Sequence, residues 1–173
     1  MSGGWVLGVG CWGALSPQPS PLGVCGILFG KMTADAPLDA EQVRRQVDYW
    51  LDLADYDLAT ARSMLVCGHL LYVGFMCHQV VEKALKGVYS ARCQAVPPKI
   101  HALVQLALLS SLYDEMTEDQ RELMLSLQPM NTESRYPAEK AKLLAALTTS
   151  GCAGLISETE EMFQWIKQKL LRV

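Results

Sequence analysis

Residues 72–103 read YVGFMCHQVVEKALKGVYSARCQAVPPKIHAL, and this stretch decides the fold of the chain. At 100° per residue, the part from about Leu70 to Arg92 predicts a helix with one wide apolar arc. The arc consists of Val73, Met76, Cys77, Val80, Val81, Ala84, Leu85 and Val88. Such an arc is too wide for a surface helix, so we expect the central helix of a bundle. Pro97 and Pro98 follow, and they prevent its continuation.

The remaining arc of this helix forms a polar stripe, which we define as His78, Gln79, Glu82, Lys83 and Lys86. Glu82 and Lys86 are four residues apart, and on a solvated face such an ion pair contributes about 0.2–0.5 kcal/mol. From spacing alone, this structural interpretation is favoured over a binding site. Tyr72 and Phe75 fall in the same arc, which indicates that a neighbouring helix or a dimer partner covers it.

Size and composition limit the classes of protein that fit. The 173 residues suit one domain, and the net charge of −3 argues against nucleic-acid binding driven by overall charge. No apolar run reaches the eighteen residues of a membrane span. The six cysteines show no C-x-x-C pair or metal-ligand spacing, so we expect a reducing, cytoplasmic location and no metal or cofactor.

The first residues differ from the rest of the chain. Residues 1–31 hold eight of the thirteen glycines and a single charge, Lys31, and they fit neither a helical nor a strand period. A secretory signal is disfavoured, because the segment lacks a basic start and a continuous apolar core. We predict a disordered or spurious extension over residues 1–38, with Met32 as an alternative start, and a helical domain over residues 39–173.

A strong helix is predicted before the central one. Asp39 and Gln42 form a capping box, and apolar residues then recur at helical spacing to about Cys67. Gly68 is suited to end this helix in a left-handed conformation. The loop to the central helix is short, so the two helices should pack antiparallel.

Three further helical segments are predicted after the prolines. A third helix runs from about His101 to Tyr113, and a capping box at 117–120 opens a fourth that ends near Pro129. Residues 138–149 favour helix weakly, glycines then interrupt at 151 and 154, and Ser157 caps a final helix. We therefore expect an all-α, antiparallel up-and-down bundle of about five helices.

Two residues outside the polar stripe are candidates for chemistry. His101 either bonds a neighbouring backbone or carboxylate group, or binds phosphate and transfers a proton. Arg135 lies beside Tyr136 in a polar segment, where a guanidinium can bind phosphate through its planar fork of donors. The alternative, an arginine that ties its loop to Glu82, Glu139 or a helix C-terminus, is favoured without further context.

Taken in chain order, these motifs are similar to those of HEPN domains (higher eukaryotes and prokaryotes nucleotide-binding). The resemblance covers Val43 to Leu171 and rests on Tyr56-Asp57-Leu58-Ala59-x-Ala61, Gly68, Tyr72, His78-Gln79-x-x-Glu82-Lys83-x-x-Lys86, Pro97-Pro98-x-x-His101-x-Leu103 and Arg135-Tyr136-Pro137. It implies a helical bundle resembling the C-terminal domain of kanamycin nucleotidyltransferase, commonly dimeric. Many small bacterial members are encoded beside a minimal nucleotidyltransferase as toxin–antitoxin-like pairs.

Other members of the family are metal-independent ribonucleases, in which an Arg-x(4–6)-His motif from two subunits converges. The resemblance to that group is incomplete, because residues 140–142 after Arg135 read Lys-Ala-Lys and the histidine is missing. Arg62 and His69 match the motif literally, but they span the end of the first helix rather than the late element. His101 or Lys140 would have to substitute.

The resemblance implies a homodimeric HEPN module that binds a nucleotide, an RNA end or a partner nucleotidyltransferase, without a cofactor. Its predicted ligand-binding residues are His78, Gln79, Glu82, Lys83, Lys86, His101, Arg135 and Tyr136. The alternative is a ribonuclease toxin in which Arg135 stabilises phosphate charge and His101 is the acid/base. A third possibility makes the polar stripe purely an oligomer interface, its charges paired across the dimer.

Overall fold

The computed structural model describes residues 37–131 and 147–171 of this chain. These residues form an all-α bundle, as predicted. Its five α-helices within the described ranges are α1 (Ala40–Val66), α2 (Leu70–Cys93), α3 (Leu103–Leu109), α4 (Glu118–Leu127) and α5 (Thr149–Leu170). Two 3-10 turns, Tyr113–Glu115 and Gln128–Asn131, flank α4. The predicted extension over 1–38 lies almost wholly outside the described residues, and so does most of the segment 138–149.

The start and the end of α1 follow the sequence prediction. The Gln42 N–H donates to Asp39 Oδ1 at 2.7 Å, and the Asp39 N–H donates to Gln42 Oε1 at 2.9 Å. After the helix, Gly68 takes a φ of +74°, where a side chain would add strain. The chain then reverses, and the Leu38 N–H donates to the Gln94 carbonyl at 2.8 Å. This bond ties the start of α1 to the end of α2, so the two helices are antiparallel.

α2 is the central helix, as its wide apolar arc predicts, and α1, α3, α4 and α5 all pack against it. Its glycines allow close contacts: a Cβ built on Gly74 would lie 2.9 Å from Met130 Sδ. The interpretation of the Glu82–Lys86 pair as part of a solvated face is wrong, since both residues are buried. Neighbouring elements of the same chain cover the polar stripe instead.

α3 is shorter than predicted. It begins at Leu103 rather than His101, because residues 94–102 form an irregular loop through the two prolines, and it ends at Leu109 rather than Tyr113. Ser111 has a φ of +54°, which breaks the helix. Leu103 and Leu106 of this helix face the core and are fully buried. His101 therefore lies on a loop, two residues before the helix.

The last helix begins earlier than predicted, because its cap is Thr148 instead of Ser157. Thr148 caps it, since its Oγ1 accepts the Gly151 N–H at 3.0 Å. Gly151 and Gly154 lie inside the helix on its exposed side, where each costs about 1 kcal/mol relative to alanine. Burial of apolar residues on the opposite side offsets that cost. Among the helices of the described ranges, none has the length and hydropathy of a membrane-spanning segment.

Candidate functional site around Glu82

The carboxylate of Glu82 is the centre of the polar stripe. Its side chain is buried on α2, and three basic side chains surround it. Lys86 Nζ donates to Oε1 at 2.7 Å, and His101 Nδ1 lies 3.0 Å from Oε2 and 3.1 Å from Oε1. His78 Nε2 lies 3.4 Å from Oε2. One buried anion therefore organises a lysine and two histidines.

The electrostatic balance at Glu82 favours the charged carboxylate. Burial raises the pKa of this group, but the neighbouring His78, Lys86 and His101 together outweigh burial and lower the pKa to about 2 from an ordinary 4.5. Glu82 is accordingly an anion at neutral pH. A buried anion of this kind is stable only while its donors stay in place.

His78 connects this carboxylate to the end of α4. Its Nδ1 lies 3.0 Å from the Leu127 carbonyl, and a carbonyl can only accept, so Nδ1 carries the hydrogen. Its Nε2 faces Glu82 without a well-formed hydrogen bond to any residue of the described ranges. The ring is fully buried. His78 thus fixes the position of α4 relative to α2 and is closed to a ligand.

The two lysines of the stripe are already engaged. Lys86 is buried, bonds Glu82, and places Nζ 5.1 Å from the centre of the Trp50 ring on α1, a cation–π contact. Lys83 donates to Asp57 of α1 in an ion pair that is also largely shielded. Each lysine charge is therefore balanced by a carboxylate of the same chain.

His101 is the exposed member of the group. Its side chain is 61% accessible, whereas that of Glu82 is 4% accessible. If Nδ1 carries a hydrogen, it donates that hydrogen to the carboxylate. Nε2 is then the outer nitrogen of the ring, and it has no hydrogen-bond partner within the described residues. A histidine oriented in this way by a carboxylate can accept or donate a proton at the outer nitrogen, and it can bind an anion when protonated.

Gln128 holds the backbone of the same loop. Its Oε1 accepts the Leu103 N–H at 2.8 Å, and its Nε2 donates to the His101 carbonyl at 3.5 Å. Sequence spacing does not indicate that Gln128, Asp57, Trp50 or the Leu127 carbonyl is part of this site. They come from distant segments, and a backbone carbonyl has no residue signature.

Of the remaining site candidates, one lies in the part of the chain that the structure describes. Gln79 is half-buried on α2, between His78 and Lys83. Arg135, Tyr136 and Lys140 lie outside the described residues, so the structure does not place them. Within residues 37–131 and 147–171, no three His, Cys, Asp or Glu side chains are arranged to hold a metal ion.

A separate cavity of about 460 Å³ lies between α4 and α5. Its walls carry three carboxylates and no basic side chain; the lining residues are Thr117, Asp119, Gln120, Leu123, Glu158, Glu161 and Met162. This charge repels phosphate, so the cavity does not suit an anionic ligand.

Comparison with known proteins identifies the family. The HEPN domain model matches residues 47–170, well over half of the chain. This chain belongs to the HEPN family. The crystal structure of an archaeal HEPN homologue superimposes with a TM-score of 0.54 at 23% identity, and the match covers 72% of this chain and 97% of that one. That likeness confirms the fold. The comparison with curated proteins returned no significant match.

Proposed function

We propose that this HEPN chain binds the phosphate of a nucleotide or of RNA at the surface marked by His101. The observation that carries the proposal is the pairing of an exposed imidazole with a buried carboxylate, His101 Nδ1 to Glu82 Oε2 at 3.0 Å. The carboxylate orients the ring through Nδ1, so that Nε2, when it carries a hydrogen, can donate to a phosphate oxygen. Membership of a family associated with nucleotide binding supports the choice of ligand.

The cations that neutralise the phosphate come from outside the buried stripe. Lys83 and Lys86 are paired with Asp57 and Glu82, so they contribute little net charge to a ligand. We assign phosphate contact to His101 and Arg135, and base stacking to Tyr136. His78, Gln79, Glu82, Lys83 and Lys86 then support the site rather than contact phosphate directly.

The test is binding of ATP and of a short, fluorescein-labelled single-stranded RNA to the full chain. His101→Ala should weaken binding about tenfold to a hundredfold, the range for a hydrogen bond to a charged group. His69→Ala is the matched control, since His69 is an exposed histidine at the turn between α1 and α2. Equal affinities for His101→Ala and wild type, or no binding of either probe by wild type, would contradict the proposal.

Salt dependence separates the two groups of cations. Arg135→Ala should reduce the slope of log affinity against log salt concentration by about 0.7, the value for one single-strand phosphate contact. Lys83→Met should leave that slope unchanged, because its charge is already paired with Asp57. A slope change of similar size for Lys83→Met would show that this lysine contacts the RNA.

A second candidate function is a metal-independent ribonuclease. The same observation favours it, because a carboxylate-oriented histidine is suited to move a proton during phosphoryl transfer, with Arg135 stabilising the phosphate charge. Cleavage of labelled RNA in the presence of EDTA, lost in His101→Ala and kept in His69→Ala, would support it. If the chain binds the RNA but leaves it intact, the ribonuclease candidate is rejected and the binding function is retained.

We further propose that the chain is a homodimer in the cytoplasm and is paired with a minimal nucleotidyltransferase in a toxin–antitoxin-like system. Three exposed tyrosines support a contact surface, Tyr49 and Tyr56 on α1 and Tyr72 on α2, with 55%, 72% and 55% accessibility. Tyr56→Arg should shift sedimentation from dimer to monomer, whereas Leu125→Arg, at an exposed leucine of α4, should not. Co-purification with a nucleotidyltransferase encoded next to this chain tests the partner.

A further inference from the structure

The junction between α4 and the following turn reaches both histidines of the site. α4 ends at Leu127, and Pro129 lies in the 3-10 turn after it. Carbonyls at the end of a helix lack their usual partners, and the Leu127 carbonyl is bonded by His78. The next residue, Gln128, hydrogen-bonds through its side chain to the loop that carries His101. Two consecutive residues thus contact the two histidines that flank Glu82.

The helix that follows His101 has no side-chain cap of its own. Its N-cap is Ala102, which offers no side-chain acceptor, so the Leu103 N–H would be unpaired at the first turn. Gln128 accepts this hydrogen at 2.8 Å from 25 residues away. The same amide donates to the His101 carbonyl at 3.5 Å. One side chain therefore spans His101 to Leu103 and fixes the backbone on both sides of Ala102.

We propose that Gln128 is a positioning residue for His101. Glu82 holds the ring, and Gln128 holds the backbone from which the ring projects. A side chain that is 61% accessible has few other contacts to keep it in place, so both constraints are needed to keep Nδ1 on the carboxylate. The inference rests on the proposed function at His101, to which it adds a residue from the turn after α4 that would not touch the ligand.

The test replaces Gln128 by methionine, which has a similar length and no hydrogen-bonding amide. In the ligand-free full chain, the ¹⁵N signals of the His101 ring should shift or broaden, which reports loss of the fixed Nδ1 contact. ATP and the labelled RNA should bind about three- to tenfold more weakly, as expected for one or two lost hydrogen bonds. The ring signals of His78 should change less, because the Leu127 carbonyl remains.

Gln120→Met is the matched control. Like Gln128 at α3, Gln120 accepts a backbone N–H at the start of a helix: its Oε1 accepts the Thr117 N–H before α4 at 3.0 Å. Its loss should lower the melting temperature by a similar amount. It should leave the His101 ring signals and both affinities unchanged, and an equal effect from both variants would overturn the proposal.

A second variant separates positioning from helix capping and keeps the test valid if Gln128→Met folds poorly. Ala102→Ser supplies α3 with its own cap, so it should restore stability to Gln128→Met. Binding should stay weak and the His101 signals should stay altered in the double variant. Recovery of both in the double variant would show that Gln128 only caps the helix.

The outcomes for Gln128 and for the proposed function are distinguishable. If the His101 ring signals change in Gln128→Met but even wild type binds neither probe, the positioning role is supported and the proposed ligand binding is rejected. If the ring signals and affinities are unchanged in Gln128→Met but binding is lost in His101→Ala, the proposed ligand binding is supported and the positioning role is rejected.

Discussion

Replacement of Glu82 by glutamine should destabilise the protein by about 3 kcal/mol. The difference between the ordinary pKa of 4.5 and the value of about 2 in the folded protein corresponds to roughly 3 kcal/mol of preference for the charged carboxylate. Loss of one partner from a buried ion pair typically costs about 3–5 kcal/mol, which agrees with that figure. Urea denaturation at pH 7, followed by circular dichroism, measures the free energy of unfolding.

The dependence on pH gives a second measure of the same contact. The folded-state pKa of Glu82 is lowered, so its contribution is fully present above about pH 4.5 and is lost as the pH falls toward 2. Wild type should therefore lose about 3 kcal/mol over that window in addition to the losses shared with Glu82→Gln. The difference in unfolding free energy between the two proteins should shrink as the pH falls.

The control for this experiment is Glu118→Gln. Glu118 also pairs with a basic residue on its own helix, Arg121 at 3.3 Å, but its side chain is 73% exposed. Its removal should change the free energy of unfolding by less than about 1 kcal/mol. If Glu82→Gln costs no more than Glu118→Gln, or if its cost is the same at pH 2.5 and pH 7, the network around Glu82 is not the source of stability described above.

Two glycines and two cysteines give further predictions. Gly74→Val should lower the free energy of unfolding by about 1–3 kcal/mol, because even its Cβ would lie 2.9 Å from Met130 Sδ. Gly154→Ala should raise the free energy of unfolding by up to about 1 kcal/mol, because no atom lies within 4 Å of the added methyl group. Urea denaturation distinguishes the two signs, and a gain in Gly74→Val would contradict the close contact. Burial raises the pKa of the Cys77 thiol to about 11, so iodoacetamide at neutral pH should label the exposed Cys67 first and Cys77 only after denaturation. Mass spectrometry of the native protein checks this order, and equal labelling rates would contradict the burial of Cys77.

The sequence predicted those parts of the fold that depend on local patterns. The capping boxes at Asp39 and Thr117 lie where their spacing indicates, and the period of α2 identified the core helix. The start of α5 was missed because two glycines looked like an interruption. They lie on the exposed side of the helix, and Thr148 caps it without the glutamate or glutamine that marks a capping box.

The contacts of the candidate site depend on long-range packing and could not be read from spacing. The sequence placed Glu82 and Lys86 together, since i, i+4 neighbours share a helix face. It could not show that His101, 19 residues later, returns to the same carboxylate. It also could not show that Lys83 pairs with Asp57, 26 residues earlier on α1. These contacts with other segments bury the stripe, and the periodicity of a single helix cannot predict them.

The pairing pattern changes the role of the polar stripe. Read as a sequence, Lys83 and Lys86 look like a small basic patch that could attract phosphate. In the folded chain Asp57 and Glu82 balance these charges one for one, and Lys86 is also covered by Trp50. Charge that is balanced at short range produces little field beyond it. The stripe therefore holds helices together and orients His101, and the proposed attraction of a phosphate is assigned to that histidine and to Arg135 rather than to the paired lysines.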